Sequence, residues 1–252
     1  MNEIENKEIL GTKKNTEIVE NQEPKEKCKN KRSWWFVCIK GLIKIFKRKP
    51  NFKYLGEKIK PGSLILSNHE GTSAPLAFEL YLNEPITFWG AYQMNGSLAS
   101  LYKYQSKEYY HGKKHWKLWA ARLFCLIASP LTWIFYRGIK LISIYPGAKL
   151  RTTLKKSVEE IKNGKSIIIY PEDSSEGYLP VLKGFHGGFI LLCDMCLKQG
   201  IDLPIHLAYL KKKEKEYVID SPIMYSSLAN KGLTKEEICE QLCNRINEIS
   251  KL

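Results

Sequence analysis

The sequence predicts a single α/β domain, a mixed sheet flanked by helices, preceded by a basic amphipathic helix suited to a membrane interface. Three observations carry that prediction. Short apolar runs with β-branched residues, SLILS at 63–67 and KSIIIY at 165–170, alternate with stretches of helical spacing. Helix punctuation falls between them, including Gly164 after one periodic stretch and a Thr234-x-x-Glu237 box before another. Charge is also uneven: residues 1–24 hold six Glu and three Lys, a net of −3, whereas residues 25–60 hold thirteen Lys/Arg and two Glu, a net of +11. A local basic excess of that size suits a polyanionic contact surface.

In chain order, residues 1–32 read as a flexible polar tail without helical or strand periodicity. Residues 33–50, SWWFVCIKGLIKIFKRKP, set Trp34, Trp35, Phe36, Ile39, Leu42, Ile43, Ile45 and Phe46 against Lys40, Lys44, Lys47 and Arg48. Aromatic and apolar residues interleaved with lysines describe a helix in a membrane interface, drawn to anionic lipid. Its apolar stretch is too short and too charged to span a bilayer. The competing readings are an N-terminal helix packed on the core and, without a supporting motif, a nucleic-acid arm. Nucleic acid is not expected as a partner.

Residues 51–252 form the expected domain. After SLILS, Thr72 or Ser73 is placed to cap a helix with Pro75 in its first turn. The apolar run 118–136, LWAARLFCLIASPLTWIFY, contains Arg122 and Pro130. These predict two shorter helices broken near Ser129-Pro130, part-buried or monotopic, rather than a span. Leu150, Leu154, Val158 and Ile161 mark an amphipathic helix ended by Gly164. Residues 185–199 read as a helix beyond the glycines, 203–210 and 216–223 as strands, and 234 onward as a capped terminal helix.

Seven cysteines without a visible secretory signal point to a reducing compartment. The Cys193/Cys196 and Cys239/Cys243 pairs lie in helical stretches and are expected as small core residues. No zinc is expected there, and no metal at His111/His115.

Two strand ends stand out: SNHEGTSAP from Ser67, and PEDSSEGYLPVLKGF from Pro171. Loops leaving carboxyl ends of strands in an α/β sheet gather on one edge, so His69 and Glu172 are expected to face a common cleft. His186 and His206 are expected to be structural.

Over residues 52–225 the order of short blocks resembles the glycerolipid acyltransferase family that includes 1-acylglycerol-3-phosphate acyltransferases. Asn68-His69 matches the first block, although Ala74 stands where that block carries an Asp. GIKLISI keeps Gly138, Leu141 and Ile142 of the second, with Ser143 and Ile144 for its Asp and Arg. Pro171-Glu172 matches the third, with Tyr170 for Phe, Ser174 for Thr, and Ser175 for Arg. Leu182-Lys183-Gly184-Phe185 and Leu203-Pro204-Ile205 follow in the family's order.

The resemblance implies transfer of an acyl group from acyl-CoA or acyl carrier protein to a glycerol-based lysolipid, at the cytoplasmic face of a membrane. It implies no metal or organic cofactor. It makes His69 the general base, with Glu70, Glu79, Glu172 or Asp173 as replacements for the missing acid. It makes Asn68, Arg137, Lys140, Lys149, Arg151, Pro171, Ser174, Lys183 and Gly184 candidates for holding the acceptor and its phosphate. A family member that has lost transfer and kept lipid binding is the alternative.

Overall fold

A computed structural model of the chain describes residues 32–173 and 177–252. The expected polar tail, apart from Arg32, lies outside these residues, as do Ser174 and Ser175. Helix α1, Trp34–Phe46, is followed by β1, Asn51–Tyr54, β2, Leu64–Ser67, α2, Ser73–Tyr81, and β3, Ile86–Ala91. A helical hairpin-like insertion follows: α3, Leu98–Lys103, a π-helical stretch Tyr104–Lys113, and α4, Leu118–Ile139. Then come β4, Ile142–Ile144, α5, Leu150–Lys162, β5, Ser166–Ile169, and α6, Gly188–Leu197. The chain closes with β6, Pro204–Lys211, β7, Glu216–Ile219, β8, Ile223–Met224, α7, Tyr225–Ala229, and α8, Lys235–Ile249.

The strands make one mixed sheet in the order β1-β7-β6-β2-β5-β3-β4, with β8 against β6. Strands β6, β2, β5, β3 and β4 run parallel, while β7 and β8 run antiparallel to β6. The predicted α/β class with a mixed sheet is therefore what the chain adopts. Alternation along each strand divides two cores. Leu64, Leu66, Ile167, Ile169, Ile205 and Leu207 face α5, α6 and α8. Ile65, Ile168, Ala208 and Leu210 face α2, the Phe36 side chain of α1 and the end of α4.

Local chemistry explains most element ends. The Thr234–Glu237 capping box forms in both directions, with Glu237 N donating to Thr234 Oγ1 at 3.2 Å. Gly164 sits at φ +77°, ending α5. The four cysteines of the two pairs are buried free thiols in the core facing α5 and α8. Among the described residues no group of three or more His, Cys, Asp or Glu is arranged to hold a metal.

Three expectations are corrected. Residues 118–136 are not two helices: α4 runs unbroken through Pro130. The hydroxyls around the proline are bonded rather than lost, with Ser129 Oγ donating to Gln105 Oε1 at 2.7 Å and Thr132 Oγ1 donating to the Ala128 carbonyl. Thr72 stands at the N-cap of α2 but makes no capping hydrogen bond. Finally, 216–223 is split at Asp220, so β7 and β8 pair with opposite ends of β6.

Helix α1 has two characters. Phe36 is fully buried against Phe135 and Gly138 of α4, with Trp35 and Ile39 packed beside it. Trp34, Leu42, Ile45 and Phe46 are exposed.

Candidate active site

Strands β2 and β5 are neighbours in parallel register, Leu66 opposite Ile169, so their carboxyl ends deliver His69 and Glu172 to the same point. The link is direct: the His69 backbone N–H donates to Glu172 Oε1 at 3.0 Å. Glu172 is itself fixed by an antiparallel bridge to Phe185, flanked by Asp173 N to Gly184 O at 3.1 Å and His186 N to Pro171 O at 2.7 Å. Pro171 and Gly184 thus shape the loop from its backbone. This pairing draws the 182–186 stretch up against the strand end.

The loop between β2 and α2 is tightly turned. Glu70 has φ +38° and Gly71 φ +63°, consecutive left-handed residues, of which only the second is a conformation free to its residue type. Glu70 points toward Lys212, 4.0 Å away. Asn68 does not reach outward as a substrate ligand. Its amide is buried and mimics a ladder rung, donating to the Leu210 carbonyl at 3.2 Å and accepting from Leu210 N at 2.7 Å.

The His69 ring lies between two tyrosines, Tyr178 stacked at 4.9 Å and Tyr170 tilted at 4.7 Å. Nδ1 is buried and makes no hydrogen bond. Burial lowers the His69 pKa to about 4; the polar backbone of Gly71 and His69 opposes this, and the cations of Lys113 and Lys114 add to it. Glu172 moves the other way, raised to about 7 by burial, against the His69 N–H bond and with the nearby Glu70 charge. At neutral pH the imidazole is therefore uncharged and the carboxyl titrates.

Above the ring, the π-helical stretch provides a cover. Tyr109 hydrogen-bonds Tyr178, and Lys114 Nζ stands 4.9 Å over the Tyr178 ring. Beneath, Ser67 Oγ and Tyr217 Oη are 3.0 Å apart. Burial raises the pKa of Tyr170, Tyr178 and Tyr217, so all three remain neutral phenols.

The remaining sequence candidates separate. Ala74 is wholly buried in α2 and its methyl group can make no hydrogen bond to His69. Glu79 is buried too, and accepts from Arg32 Nη2 at 2.6 Å and Lys40 Nζ at 3.0 Å, which makes it an anchor for the basic segment instead of a partner of His69. Lys140 lies at the amino end of β4, the opposite edge from His69, because it precedes that strand. Arg137 is engaged over the Trp133 ring at 4.7 Å. Lys149 and Arg151 follow the carboxyl end of β4, three strands or about 14 Å from β2 at ordinary strand spacing. Lys183 is exposed beside Gly184, and Ser174 lies outside the described residues. His206 bonds the Asp220 carbonyl through Nδ1 at 3.1 Å inside the sheet, a structural place as expected.

Sequence reading missed a cationic groove beside the site. Lys47, Arg48, Lys212 and Lys215 line a cavity of about 380 Å³ with Thr72, Ser73 and the apolar Leu76 and Leu80. The four cations come from two segments more than 160 positions apart in sequence, which no local pattern links. Tyr178, Lys113 and Lys114 were missed for the same reason.

Compared with protein-family models and with curated proteins, the chain matches none.

Proposed function

We propose that the protein is a membrane-associated O-acyltransferase that moves a fatty acyl group from acyl-CoA or acyl carrier protein to a glycerol-based lysolipid. The observation that carries this reading is the juxtaposition of Asn68-His69 and Pro171-Glu172 on adjacent parallel strand ends, the arrangement that the resembled family's block order implies. In the reaction, the lysolipid hydroxyl gives its proton to the neutral His69 imidazole as its oxygen attacks the thioester carbonyl. The C–S bond then breaks and the departing thiolate takes the proton back from the imidazolium. At neutral pH the imidazole is uncharged and free to accept that proton. Burial that lowers its pKa to about 4 also makes it a weak base, which counts toward the reading without transfer below. Lys113 and Lys114 place positive charge near the His69 ring, the sign that favours a developing oxyanion. No cofactor beyond the thioester donor is required by this chemistry.

The groove of Lys47, Arg48, Lys212 and Lys215 is the stronger candidate for the acceptor phosphate. It adjoins the His69 loop through Thr72 and Ser73 and combines cations with an apolar floor. The exposed aromatic and basic surface of α1 suits contact with anionic lipid, in this reading at the cytoplasmic face.

One observation favours a second reading, a lipid-binding protein without transfer. His69 Nδ1 has no carboxylate to hold its tautomer, and loss of such a group costs about 10⁴ in rate in serine protease triads. The deciding experiment supplies labelled acyl-CoA and acyl carrier protein with a panel of lysolipids to the protein on anionic vesicles. Transfer that drops at least ~10³-fold in His69→Ala supports the enzyme. Lysolipid binding with no transfer from any donor replaces it with the lipid-binding reading.

A further inference from the structure

Helix α4 is built inside out. In its first three turns the protein-facing stripe is small or polar, with Ala121, Cys125 and Ser129 buried and Ser129 and Thr132 both bonded to Gln105 of the π-helical stretch; the last turns pack Phe135, Tyr136 and Ile139 inward. Its outward stripe is large and apolar: Trp119, Leu123, Ile127, Leu131 and Ile134 recur at spacings of three to four, with Leu126 beside Ile127. Ile127 is 74% exposed, Trp119 67% and Leu131 65%. A water-facing helix carries the opposite arrangement, and an apolar face of this extent marks a contact surface. The helix is also the one among the described residues long and apolar enough to cross a membrane, by length and composition.

Charge identifies the occupant. The helix and its flanks, residues 109–140, hold six Lys/Arg and no Asp or Glu. Self-association through this face would bring like charges together, which disfavours a second copy of the chain. An anionic leaflet takes both the apolar stripe and its cationic surround. The inward stripe stays docked on the domain from Ala121 through Ile139, and a helix held along its length against a folded domain meets the bilayer side-on. Trp116 and Trp119, both exposed at its amino end, are residue types that favour the headgroup level.

We propose that α4 lies in the plane of an anionic membrane leaflet, with its outward stripe immersed, as a membrane contact separate from residues 33–50. This shares only its membrane setting with the functional reading and does not depend on acyl transfer. The π-helical cover packs on the inner side of the same helix, so the bilayer would begin one helix away from the His69 loop.

The test uses the full chain and vesicles of phosphatidylcholine with or without phosphatidylglycerol, read by co-sedimentation. Variant Leu123→Gln/Ile127→Gln/Leu131→Gln changes only exposed side chains, and circular dichroism and thermal melting check that it folds. The matching variant of α1 is Leu42→Gln/Ile45→Gln. The α4 variant is expected to bind phosphatidylglycerol vesicles at least ~100-fold more weakly, given the apolar area removed. Fluorophores attached at Leu123→Cys and Leu131→Cys, in a Cys38→Ser background, are expected at equal, shallow depths by lipid-borne quenchers. Wild-type binding by the folded α4 variant overturns the proposal. So do unequal depths, which describe a span, or a wild-type dimer in solution that the α4 variant converts to monomer with vesicle binding intact. Because the readout is binding, a failure to find acyl transfer leaves the result unaffected.

Discussion

His69 and Glu172 touch one another through a backbone hydrogen bond, yet they respond to pH in opposite senses. The folded protein holds His69 at about 4, below the ordinary 6.5, so between those values the unfolded chain binds the extra proton. Stability from this group is present above pH 6.5 and lost as pH falls toward 4, by on the order of 3 kcal/mol. Glu172 is raised from 4.5 to about 7, so its folded form binds the extra proton in that window. Its contribution is present below pH 4.5 and lost as pH rises through 7, by a similar amount. The two offset one another across the overlap. Urea unfolding at a series of pH values is therefore expected to give opposite slopes in the single variants. Relative to wild type, His69→Asn should lose stability from pH 4 to 6.5, and Glu172→Gln should gain it from pH 4.5 to 7. The depressed value of His206 acts in every variant and cancels in the differences. Parallel profiles in the two variants would mean that the burial assigned to these groups is wrong. The same residues were legible in the sequence because each ends a short apolar strand and parallel strands share an edge. The tyrosines that enclose the imidazole were not, since Tyr109, Tyr170 and Tyr178 come from segments whose meeting depends on the whole fold.

At the scale of elements, legibility followed how much of the stabilising chemistry was local. The α8 capping box satisfies its end by side chains three residues apart, and it was read correctly. Thr234→Ala is expected to cost about 1 kcal/mol in thermal or urea unfolding, because the Glu237 amide loses its Thr234 Oγ1 acceptor. Strands β1, β3 and β4 were not read, since NFKY and ISI are too short for alternation to register, and ITFWGA is buried on nearly every residue. Pro130 suggested a break, but α4 continues through it, held there by tertiary contacts of Ser129 and Thr132 with Gln105. The crossing of α1 and α4 rests on one glycine. A methyl group at Gly138 would come within 2.0 Å of the Phe36 ring, so Gly138→Ala forces the helices apart. It is expected to cost about 1–3 kcal/mol by overpacking. Combining it with Phe36→Ala should cost much less than the sum of the two single variants, because the clash disappears with the ring.

For the whole molecule, the question is how a basic N-terminal segment is tied to a sheet that carries its chemistry elsewhere. The tie is Glu79, wholly buried in α2 and bonded by both Arg32 and Lys40. Arg32 also donates to the carbonyls of Ile86 and Ile139, so one guanidinium joins the start of α1 to α2, β3 and the end of α4. By sequence alone Glu79 competed for the role of the acid that His69 lacks, because a carboxylate ten residues away has no visible direction. Its burial among cations decides the matter in favour of anchoring. Removing the carboxylate leaves a buried guanidinium unpaired, a change that costs about 3–5 kcal/mol in comparable pairs. Glu79→Gln is therefore expected to lower stability by that order in urea unfolding. It is also expected to weaken vesicle binding, because α1 loses its fixed position on the domain, while the His69 environment is retained. The imidazole titration by nuclear magnetic resonance separates the two roles. An anchoring Glu79 leaves the His69 pKa near 4 in the folded variant, whereas an acid that orients the ring would shift it as soon as its charge is removed.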